Sequence, residues 1–249
     1  MTDNASSFGR QASQYRAARP TYPDALFDWI ADEAPGRGLA WDAGTGSGQA
    51  ARALAARFDA VRATDADPAQ IEAAARAPNV TYACAPAERS GLPDASADAV
   101  TAATALHWFD LPAFWAEVSR VSRPGAVFAA WSYVWPQADA ETERRLVRPL
   151  MDLIEPYWSD GNRLCWRGYP PGEVGFPLEP LTPPPFACAL SWTPAQLAGF
   201  VRSWSAHLRA REDGHGAALA GVEREALAAL GDAPRRVALP LVMLAGRVD

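Results

Sequence analysis

Short apolar runs alternate with amphipathic stretches over the first half of the chain, up to about residue 134. A short apolar run bounded by turn residues is typical of a strand buried on both faces, and apolar positions at helical spacing are typical of a helix that covers a sheet. The alternation predicts an α/β fold with a doubly wound, mostly parallel sheet. The predicted strands span residues 39–43, 60–64, 80–84, 99–103 and 126–134, and the predicted helices lie near residues 23–34, 48–57, 68–77 and 111–122.

Two helix starts carry the same local signal, at residues 67–70 and at residues 193–196. Each has an N-cap side chain, a proline at the first helical position and a glutamine at N3. Apolar residues follow the second start at helical spacing and include Trp204. The spacing predicts that Trp204 packs in the core.

The second half of the chain has a different pattern. Residues 140–155 look helical, but Pro149 lacks the amide hydrogen that a helix interior needs, which predicts a kink or two short helices. Prolines, glycines and aromatic residues crowd residues 156–186, and this composition predicts an irregular or helical cover over the α/β half. Two further predicted strands, at residues 187–192 and 237–248, enclose a helical segment.

These segments predict one domain over residues 1–249. Residues 1–134 would form its cofactor-binding core, and residues 135–187 would form a cover or substrate insertion. Residues 188–249 would supply the helices and strands that complete the sheet.

The composition excludes several kinds of enzyme. The chain has 249 residues and a formal net charge of -6, and its 23 basic residues are all arginine. Mechanisms that need a lysine, such as Schiff-base chemistry or a phosphate-binding GK[ST] loop, therefore have no residue to use. The acidic balance disfavours nucleic acid or an anionic membrane as the main partner, and so favours a small molecule.

The chain carries no signal for a membrane span, a disulfide framework or a metal centre. It has no run of 18 apolar residues and its N-terminal stretch is polar, which predicts a cytoplasmic protein. Its cysteines, Cys84, Cys165 and Cys188, are isolated in sequence, and it has three histidines. We therefore expect neither structural zinc nor another bound metal.

The most specific chemistry lies in residues 40–48, where an apolar strand runs into Gly44, Gly46 and Gly48 and then into a helix. Glycines at alternate positions let the backbone turn sharply and lie close to a ligand, and the helix N-terminus adds free amide groups. Asp65 lies 21 positions after Gly44, at the end of the second predicted strand. A carboxylate at that place accepts both hydroxyl protons of a ribose.

Two classes of cofactor use this arrangement, and the spacing of the loop distinguishes them. A dinucleotide-binding loop has the pattern G-x-G-x-x-G, whereas the sixth position counted from Gly44 is Gln49. Asp42 places a negative charge beside the loop, which is unfavourable for a pyrophosphate and suits a cationic ligand. S-adenosylmethionine has a ribose, an adenine, a sulfonium and an amino-acid tail but no phosphate, so it fits these residues better than a nicotinamide dinucleotide.

Beyond this loop, the chain resembles the class I S-adenosylmethionine-dependent methyltransferases, and within them the branch similar to trans-aconitate methyltransferase. The resemblance covers roughly residues 8–134, with matching order and spacing. The motifs that carry it are Tyr15-Arg16, Arg19-Pro20-Thr21-Tyr22-Pro23, Asp42 to Gly48, Asp65-Ala66-Asp67-Pro68, Ala87-Glu88 with Leu92-Pro93, Asp98, His107-Trp108-Phe109-Asp110 and Arg123-Pro124-Gly125.

The resemblance implies a seven-stranded sheet whose last strand, residues 237–248, runs antiparallel to the others. It also implies a cofactor site, assigned residue by residue to matching positions. At the methionine part, the resemblance implies Asp42, Gly44, Thr45 and Gly46 in the loop, Ala103 and Thr104 beneath the methionine, and Tyr15 and Arg19 closing over it. It implies Asp65 at the ribose, and Ala66, Ala87 and Glu88 at the adenine. Residues 89–91 lengthen the segment after Glu88, so we expect an adenine pocket of different shape.

Methyl transfer from a sulfonium is an in-line displacement with an activated leaving group, so the protein mainly aligns the reactants and excludes water. The resemblance suggests a carboxylate acceptor, which arrives ionised and needs no base. His107, just beyond the fourth strand, is the candidate catalytic base for other acceptors, and a structural role in holding a loop is the alternative. Together with His107, three aromatic residues near the strand ends are candidate walls of the acceptor pocket, with plain packing as the alternative: Trp108, Trp131 and Tyr133.

Three functions remain open at this point. The first is methyl transfer from S-adenosylmethionine to a small molecule, with a carboxylate oxygen ahead of nitrogen or carbon. The second is an NAD(P)-dependent oxidoreductase, which would share the loop and Asp65 but would lack the lysine of a Tyr-x-x-x-Lys pair. The third is a non-catalytic protein that binds S-adenosylmethionine. The sequence leaves the acceptor and the oligomeric state open.

Overall fold

An eight-stranded sheet forms the centre of the protein, and the computed structural model describes residues 20–249. The strands are β1 (Leu39–Ala43), β2 (Ala60–Asp65), β3 (Val80–Cys84), β4 (Ala97–Ala103), β5 (Ser122–Tyr133), β6 (Glu179–Pro180), β7 (Phe186–Trp192) and β8 (Arg235–Arg247). Their spatial order is β3-β2-β1-β4-β5-β8-β6, and β7 also pairs with β8. Strands β1 to β5 are parallel, and β8 runs antiparallel to β5, β6 and β7. The predicted doubly wound, mostly parallel sheet is confirmed.

Helices connect and cover these strands. They are α1 (Asp24–Glu33), α2 (Gln49–Leu54), α3 (Pro68–Ala73), α4 (Leu111–Val121), α5 (Ala140–Thr142), α6 (Arg148–Ile154), α7 (Asp160–Trp166), α8 (Pro194–Arg202), α9 (Ser205–Ala210) and α10 (Gly216–Leu230). A 3-10 turn at Leu106–Trp108 follows β4. Π-helical turns at Glu143–Val147 and Arg211–His215 precede α6 and α10.

The elements predicted before residue 134 are all present, because each has a strong local pattern. Strands β1 and β3 have the predicted bounds, and β4 and β5 are fully or almost fully buried along their central residues. Strand β5 begins four residues earlier than predicted, because Ser122 pairs with Ala97 ahead of an irregularity in the ladder. The structure also adds the two-residue strand β6, which pairs with Arg247 and Gly246 of β8.

The segment predicted to be an irregular or helical cover contains the short helix α7. The Ser159 side chain accepts a hydrogen bond from the Asn162 amide and so caps its start. Seven residues are too few for helical periodicity to be visible in the sequence. Ahead of it, Pro149 lies in the first turn of α6, where a missing amide hydrogen is tolerated, and a π-helical turn joins α6 to α5.

Trp204 lies where two helices meet. It is the N-cap residue of α9, directly after the end of α8, and it is half-buried. Its ring centroid is 5.2 Å from that of Phe200 and 5.4 Å from that of Trp158. The predicted packing of Trp204 in the core is therefore observed.

The order of the strands fixes where a ligand would bind. Strand β1 has β2 on one side and β4 on the other, so the direction of winding reverses between β1 and β4. In open α/β sheets, ligands bind at such a point, beyond the carboxyl ends of the strands. Within residues 20–249, every helix is too short or too polar to cross a lipid bilayer.

Candidate active site

The loop between β1 and α2 turns on three glycines. Gly44, Gly46 and Gly48 have φ angles of 65°, 53° and 78°, a region that side chains with a Cβ rarely adopt. A Cβ at Gly48 would lie 2.3 Å from the Tyr82 hydroxyl oxygen. A Cβ on Gly46 would have only the Gln70 Oε1 atom, at 3.9 Å, near it. The middle of the loop therefore faces open space, while its last glycine is pressed against β3.

Asp42 is buried beneath this loop, with 1% of its surface exposed. The Thr45 hydroxyl donates to its Oδ2 at 2.6 Å, and the Thr101 hydroxyl donates to its Oδ1 at 2.8 Å. Burial raises the pKa of Asp42 to about 6, although both hydroxyl hydrogen bonds favour its charged form. Thr45 lies in the glycine loop and Thr101 lies in β4, so Asp42 holds the loop against β4 and thereby fixes its shape.

Asp65, at the end of β2, is joined to the same loop. The Gly46 amide donates to its Oδ2 at 2.8 Å, and the Asp67 amide donates to its Oδ1 at 2.9 Å. Burial raises the pKa of this carboxyl, and the two amide hydrogen bonds oppose that rise. Each carboxylate oxygen has more than one acceptor position, so both oxygens can accept a further hydrogen bond.

The residues predicted at the adenine lie beside Asp65 and after β3. Ala66 follows Asp65 directly and is exposed, while Ala87 is buried. The Glu88 Oε1 atom accepts a hydrogen bond of 2.7 Å from the Asp110 amide, at the start of α4. Glu88 therefore helps to hold the start of that helix.

Thr104 directly follows Ala103, the last residue of β4, and has a strained conformation with φ of 55°. Its amide donates to the Trp131 carbonyl at 2.7 Å. Its hydroxyl lies 3.3 Å from the Tyr22 hydroxyl, which donates to the Tyr133 hydroxyl at 3.4 Å. Strain of this kind persists only where surrounding contacts fix it.

His107 follows in the 3-10 turn and is half-buried. Its Nδ1 atom lies 3.0 Å from the hydroxyl oxygen of Tyr169, which is completely buried. Its ring lies beside the Tyr169 ring, with centroids 6.1 Å apart and planes at 22°, and the Trp108 ring centroid is 4.8 Å away. His107 thus joins the end of β4 to the segment after α7.

The three aromatic residues predicted as pocket walls have different environments. Half of the Trp108 surface is exposed, whereas Trp131 is completely buried and Tyr133 is 6% exposed. Trp131 packs edge-on against Tyr22 and Phe27, with ring centroids 5.5 Å and 5.9 Å apart. Trp131 is therefore a core residue, while Trp108 has a face open to a ligand.

A cleft of about 670 Å³ opens on the side of α7. It is lined by Trp135, Glu155, Asp160, Arg163, Trp166, Arg167 and Glu173. Both arginines are paired with neighbouring carboxylates: Arg163 lies 2.6 Å from Glu155, and Arg167 makes two hydrogen bonds of 2.7 Å to Glu173.

The remaining predicted cofactor residues, Tyr15 and Arg19, lie outside the described residues.

Two residues at this edge, Thr101 and Tyr169, carry no signal in the sequence, and a third, Tyr22, is visible only as part of a motif of the resemblance. Thr101 contacts Asp42, Tyr22 contacts Thr104, and Tyr169 contacts His107, each over 59 to 82 positions along the chain. Ordinary residue types with distant partners leave no motif, so only the fold brings them to the site. The neighbours of Tyr169 in the sequence are prolines and glycines, and this turn-like composition is the weak local feature that marks it.

Comparison with known proteins supplies the family. A family model for the methyltransferase domain matches residues 41–130. A methyltransferase-family protein of Dictyostelium discoideum is 32% identical over 206 residues, which cover 80% of this chain and 77% of that protein. A solved structure from Anaeromyxobacter dehalogenans, described as a type II methyltransferase, is 43% identical with a TM-score of 0.85, over 92% of this chain and 97% of that one. The malonyl-[acyl-carrier protein] O-methyltransferase of Serratia marcescens is 33% identical over 163 residues, which cover 60% of this chain and 64% of that protein.

The strand order, the glycine loop and the acid at the end of β2 define a Rossmann-like fold, in which ligands generally bind at the carboxyl ends of the strands. The comparisons narrow that class. The chain belongs to the class I S-adenosylmethionine-dependent methyltransferases. Its cofactor is therefore S-adenosylmethionine and not a nicotinamide dinucleotide, and it is an enzyme of methyl transfer.

The residues at this edge fit that cofactor chemically. A ribose offers two neighbouring hydroxyl donors, and the two oxygens of Asp65 each retain an acceptor position beside their amide bonds. The open side of Gly46 leaves room for a ligand to lie against the backbone.

Proposed function

We propose that this methyltransferase acts on a carboxylate oxygen of a small-molecule acceptor. The cofactor would lie on the loop from Gly44 to Gly46, with its ribose at Asp65 and its adenine between Ala66 and the Ala87-Glu88 pair. The acceptor would lie beyond the end of β4, next to His107 and the open face of Trp108. The cytoplasm is the proposed location.

The observation that carries the choice of acceptor is the partner of His107. Its Nδ1 atom is paired with the phenol of Tyr169 at 3.0 Å, and burial raises the pKa of that phenol well above its ordinary value. A histidine that works as a strong general base has a carboxylate behind it, which stabilises the imidazolium as it forms. A neutral phenol offers much less stabilisation. The arrangement therefore favours an acceptor that is already an anion and gives up no proton.

When bound, S-adenosylmethionine supplies an activated methyl group. The bond from this methyl group to sulfur breaks as a bond to the acceptor oxygen forms. The sulfonium thereby becomes a neutral thioether, and the carboxylate becomes a neutral ester. No proton is released in this exchange. The tasks left to the chain are to hold the two reactants in line and to exclude water. Thr104 and Asp42 contribute by fixing the backbone on either side of the cofactor.

A relative supports the same chemistry. The Serratia marcescens protein is named as an O-methyltransferase that acts on malonyl-[acyl-carrier protein], and it matches 60% of this chain. Its acceptor makes a malonyl thioester a useful member of any substrate panel for this enzyme.

An isotope assay with base treatment tests the proposal. The enzyme is incubated with methyl-labelled S-adenosylmethionine and with di- and tricarboxylic acids, a malonyl thioester, phenols and amines. A methyl ester releases volatile labelled methanol in alkali, whereas aryl ethers and methylamines do not. We expect label only with the acids, in alkali-labile form. Alkali-stable label on a phenol or an amine would refute a carboxylate acceptor.

A further inference from the structure

We propose that Tyr169 is a positioning residue, which donates its hydroxyl proton to His107 Nδ1 and so makes His107 a hydrogen-bond donor, through Nε2–H, to the acceptor anion. A neutral imidazole that accepts at one nitrogen carries its proton on the other. The role of the Nε2–H group toward an anionic acceptor rests on the function proposed above. The assignment of the tautomer rests on the geometry around Tyr169 alone.

A glycine turn places Tyr169 against His107. At the end of α7, the Gly168 amide donates to the Cys165 carbonyl at 3.0 Å, and the Tyr169 amide donates to the Leu164 carbonyl at 3.2 Å. This pair of bonds is the Schellman arrangement, with Gly168 at φ 77° in the left-handed position. Tyr169 itself has φ of 54°, which is costly for a tyrosine. The contact with His107 is therefore built into the end of the helix.

The neighbours of Tyr169 orient its hydroxyl. The Cys165 thiol donates to the Ser132 hydroxyl oxygen at 3.3 Å, and the Ser132 hydroxyl donates to the Tyr133 carbonyl at 3.3 Å. The thiol proton is therefore directed away from Tyr169. The Tyr169 hydroxyl also has the Cys165 side chain as a hydrogen-bond partner, but sulfur is a weak acceptor and an imidazole nitrogen is a far better one for a phenol proton. Burial keeps the pKa of Tyr169 high, so the phenol retains its proton as a donor.

The ring of His107 is also held on its sides. A Cβ built on Gly161 of α7 would lie 3.4 Å from His107 Cδ2, so the helix backbone approaches the ring closely. The Trp108 ring lies 4.8 Å away, centroid to centroid. A ring fixed in this way holds one edge toward Tyr169. A donor of fixed direction orients a carboxylate oxygen without taking a proton from the acceptor.

The tautomer is measured directly by NMR. The protein is labelled with ¹⁵N-histidine, and the three imidazoles of the chain are assigned with the His107→Asn variant. The protonated and unprotonated nitrogens of a neutral imidazole differ strongly in ¹⁵N shift. We expect His107 to carry its proton on Nε2 at pH 8, and Tyr169→Phe to give a mixture of tautomers. A proton on Nδ1 in the native enzyme overturns the proposal, as does an unchanged tautomer in Tyr169→Phe.

Kinetics supply a second, independent readout. Tyr169→Phe should lower kcat/KM for the acceptor about tenfold, the effect of one lost buried hydrogen bond, while the Kd of S-adenosylhomocysteine changes by less than about twofold. Tyr157→Phe is the matched control, because the Tyr157 hydroxyl pairs with Asp213 on the surface. Equal kinetics for native enzyme and Tyr169→Phe contradict the proposal.

A His107 pair covers the case in which Tyr169→Phe does not fold. Glutamine carries an amide donor close to the position of Nε2, whereas asparagine carries its amide close to the position of Nδ1. We expect His107→Gln to retain at least about a third of the native rate and His107→Asn to lose most of it. The opposite order contradicts a donor role at Nε2. Because the NMR measurement uses no acceptor, it also separates failure of this inference from failure of the carboxylate proposal.

Discussion

The main-chain amide of Gly46 donates a 2.8 Å hydrogen bond to the carboxylate of Asp65. The residue that makes the loop open to a ligand is thus joined to the residue proposed to bind the ribose. The two halves of the proposed cofactor site, after β1 and at the end of β2, are therefore held relative to each other by the protein's own hydrogen bond.

Asp65→Ala should weaken the binding of S-adenosylhomocysteine by roughly 30- to 1000-fold. Two hydrogen bonds from ribose hydroxyls to a charged acceptor are lost, each contributing about 1 to 2 kcal/mol. Isothermal titration calorimetry measures the change directly. Asp32→Ala, which removes an exposed carboxylate paired with Arg37, is the matched control and should leave the affinity unchanged. An affinity of Asp65→Ala equal to that of the native enzyme would contradict the ribose assignment.

Stability should depend on pH through Asp42. Burial raises the pKa of Asp42 from its ordinary value of 3.8 to about 6, so the folded state binds this proton more tightly than the unfolded state. Its contribution to stability is fully present below pH 3.8 and is lost as pH rises through about 6. The loss amounts to about 3 kcal/mol, at 1.36 kcal/mol for each pKa unit.

Urea unfolding of the native protein and Asp42→Asn between pH 4.5 and pH 7.5 isolates this contribution. The free energy of unfolding of the native protein, relative to the variant, should fall by about 2 kcal/mol or more over that range. Differences between the two proteins remove the effects of other carboxyls, such as Glu117, whose pKa is lowered by hydrogen bonds from Arg120 and Ser90 against the effect of its burial. Parallel pH profiles would show that Asp42 does not titrate in this range.

Gly48→Ala should be much more destabilising than Gly91→Ala. Both glycines have positive φ, at 78° and 73°, which costs alanine about 1 kcal/mol. The Cβ of Gly48→Ala would in addition lie 2.3 Å from the Tyr82 hydroxyl, whereas the space around Gly91 is open. Overpacking adds about 1 to 3 kcal/mol. Chemical denaturation measures both, and equal losses would show that Tyr82 moves aside without cost.

Trp108→Ala should raise the acceptor KM about tenfold while the affinity for S-adenosylhomocysteine stays the same. The reason is that Trp108 has half of its surface exposed beside His107, so it offers an aromatic face to the acceptor. Trp131→Phe is the informative contrast, because Trp131 is fully buried and its Nε1 atom has no hydrogen-bond partner within residues 20–249. It should alter stability but not acceptor KM. Steady-state kinetics with the preferred acid from the panel distinguishes the two.

Local pattern explains how much of the fold could be predicted. Strands β1 and β3 are continuous runs whose ends are marked by turn residues, and they were predicted without error. Strand β6 has two residues and exists only because β8 pairs with it, so nothing local indicates it. The short helix α7 was not located within the predicted cover, because seven residues are too few to show helical periodicity.

The candidate site divides in the same way. The glycine loop and Asp65 are visible because backbone geometry restricts which residues can stand there. Thr101 and Tyr169 are not visible, because each becomes important only through a partner about 60 positions away, Asp42 in one case and His107 in the other. For Trp131 the sequence left two roles open, a wall of the acceptor pocket or plain packing, and its buried side chain fills the core.

The position of β8 has a consequence for how the chain folds as it is made. Arg235–Arg247 is the last of the eight strands along the chain, yet it lies inside the sheet, between β5 on one side and β6 and β7 on the other. Until β8 leaves the ribosome, the edge of β5 keeps its amides and carbonyls unpaired, and β7 has nothing to pair with. Unpaired strand edges of this kind promote aggregation. Completion of the sheet therefore waits for β8, and the nascent protein depends on reaching this strand before its exposed edges find another chain.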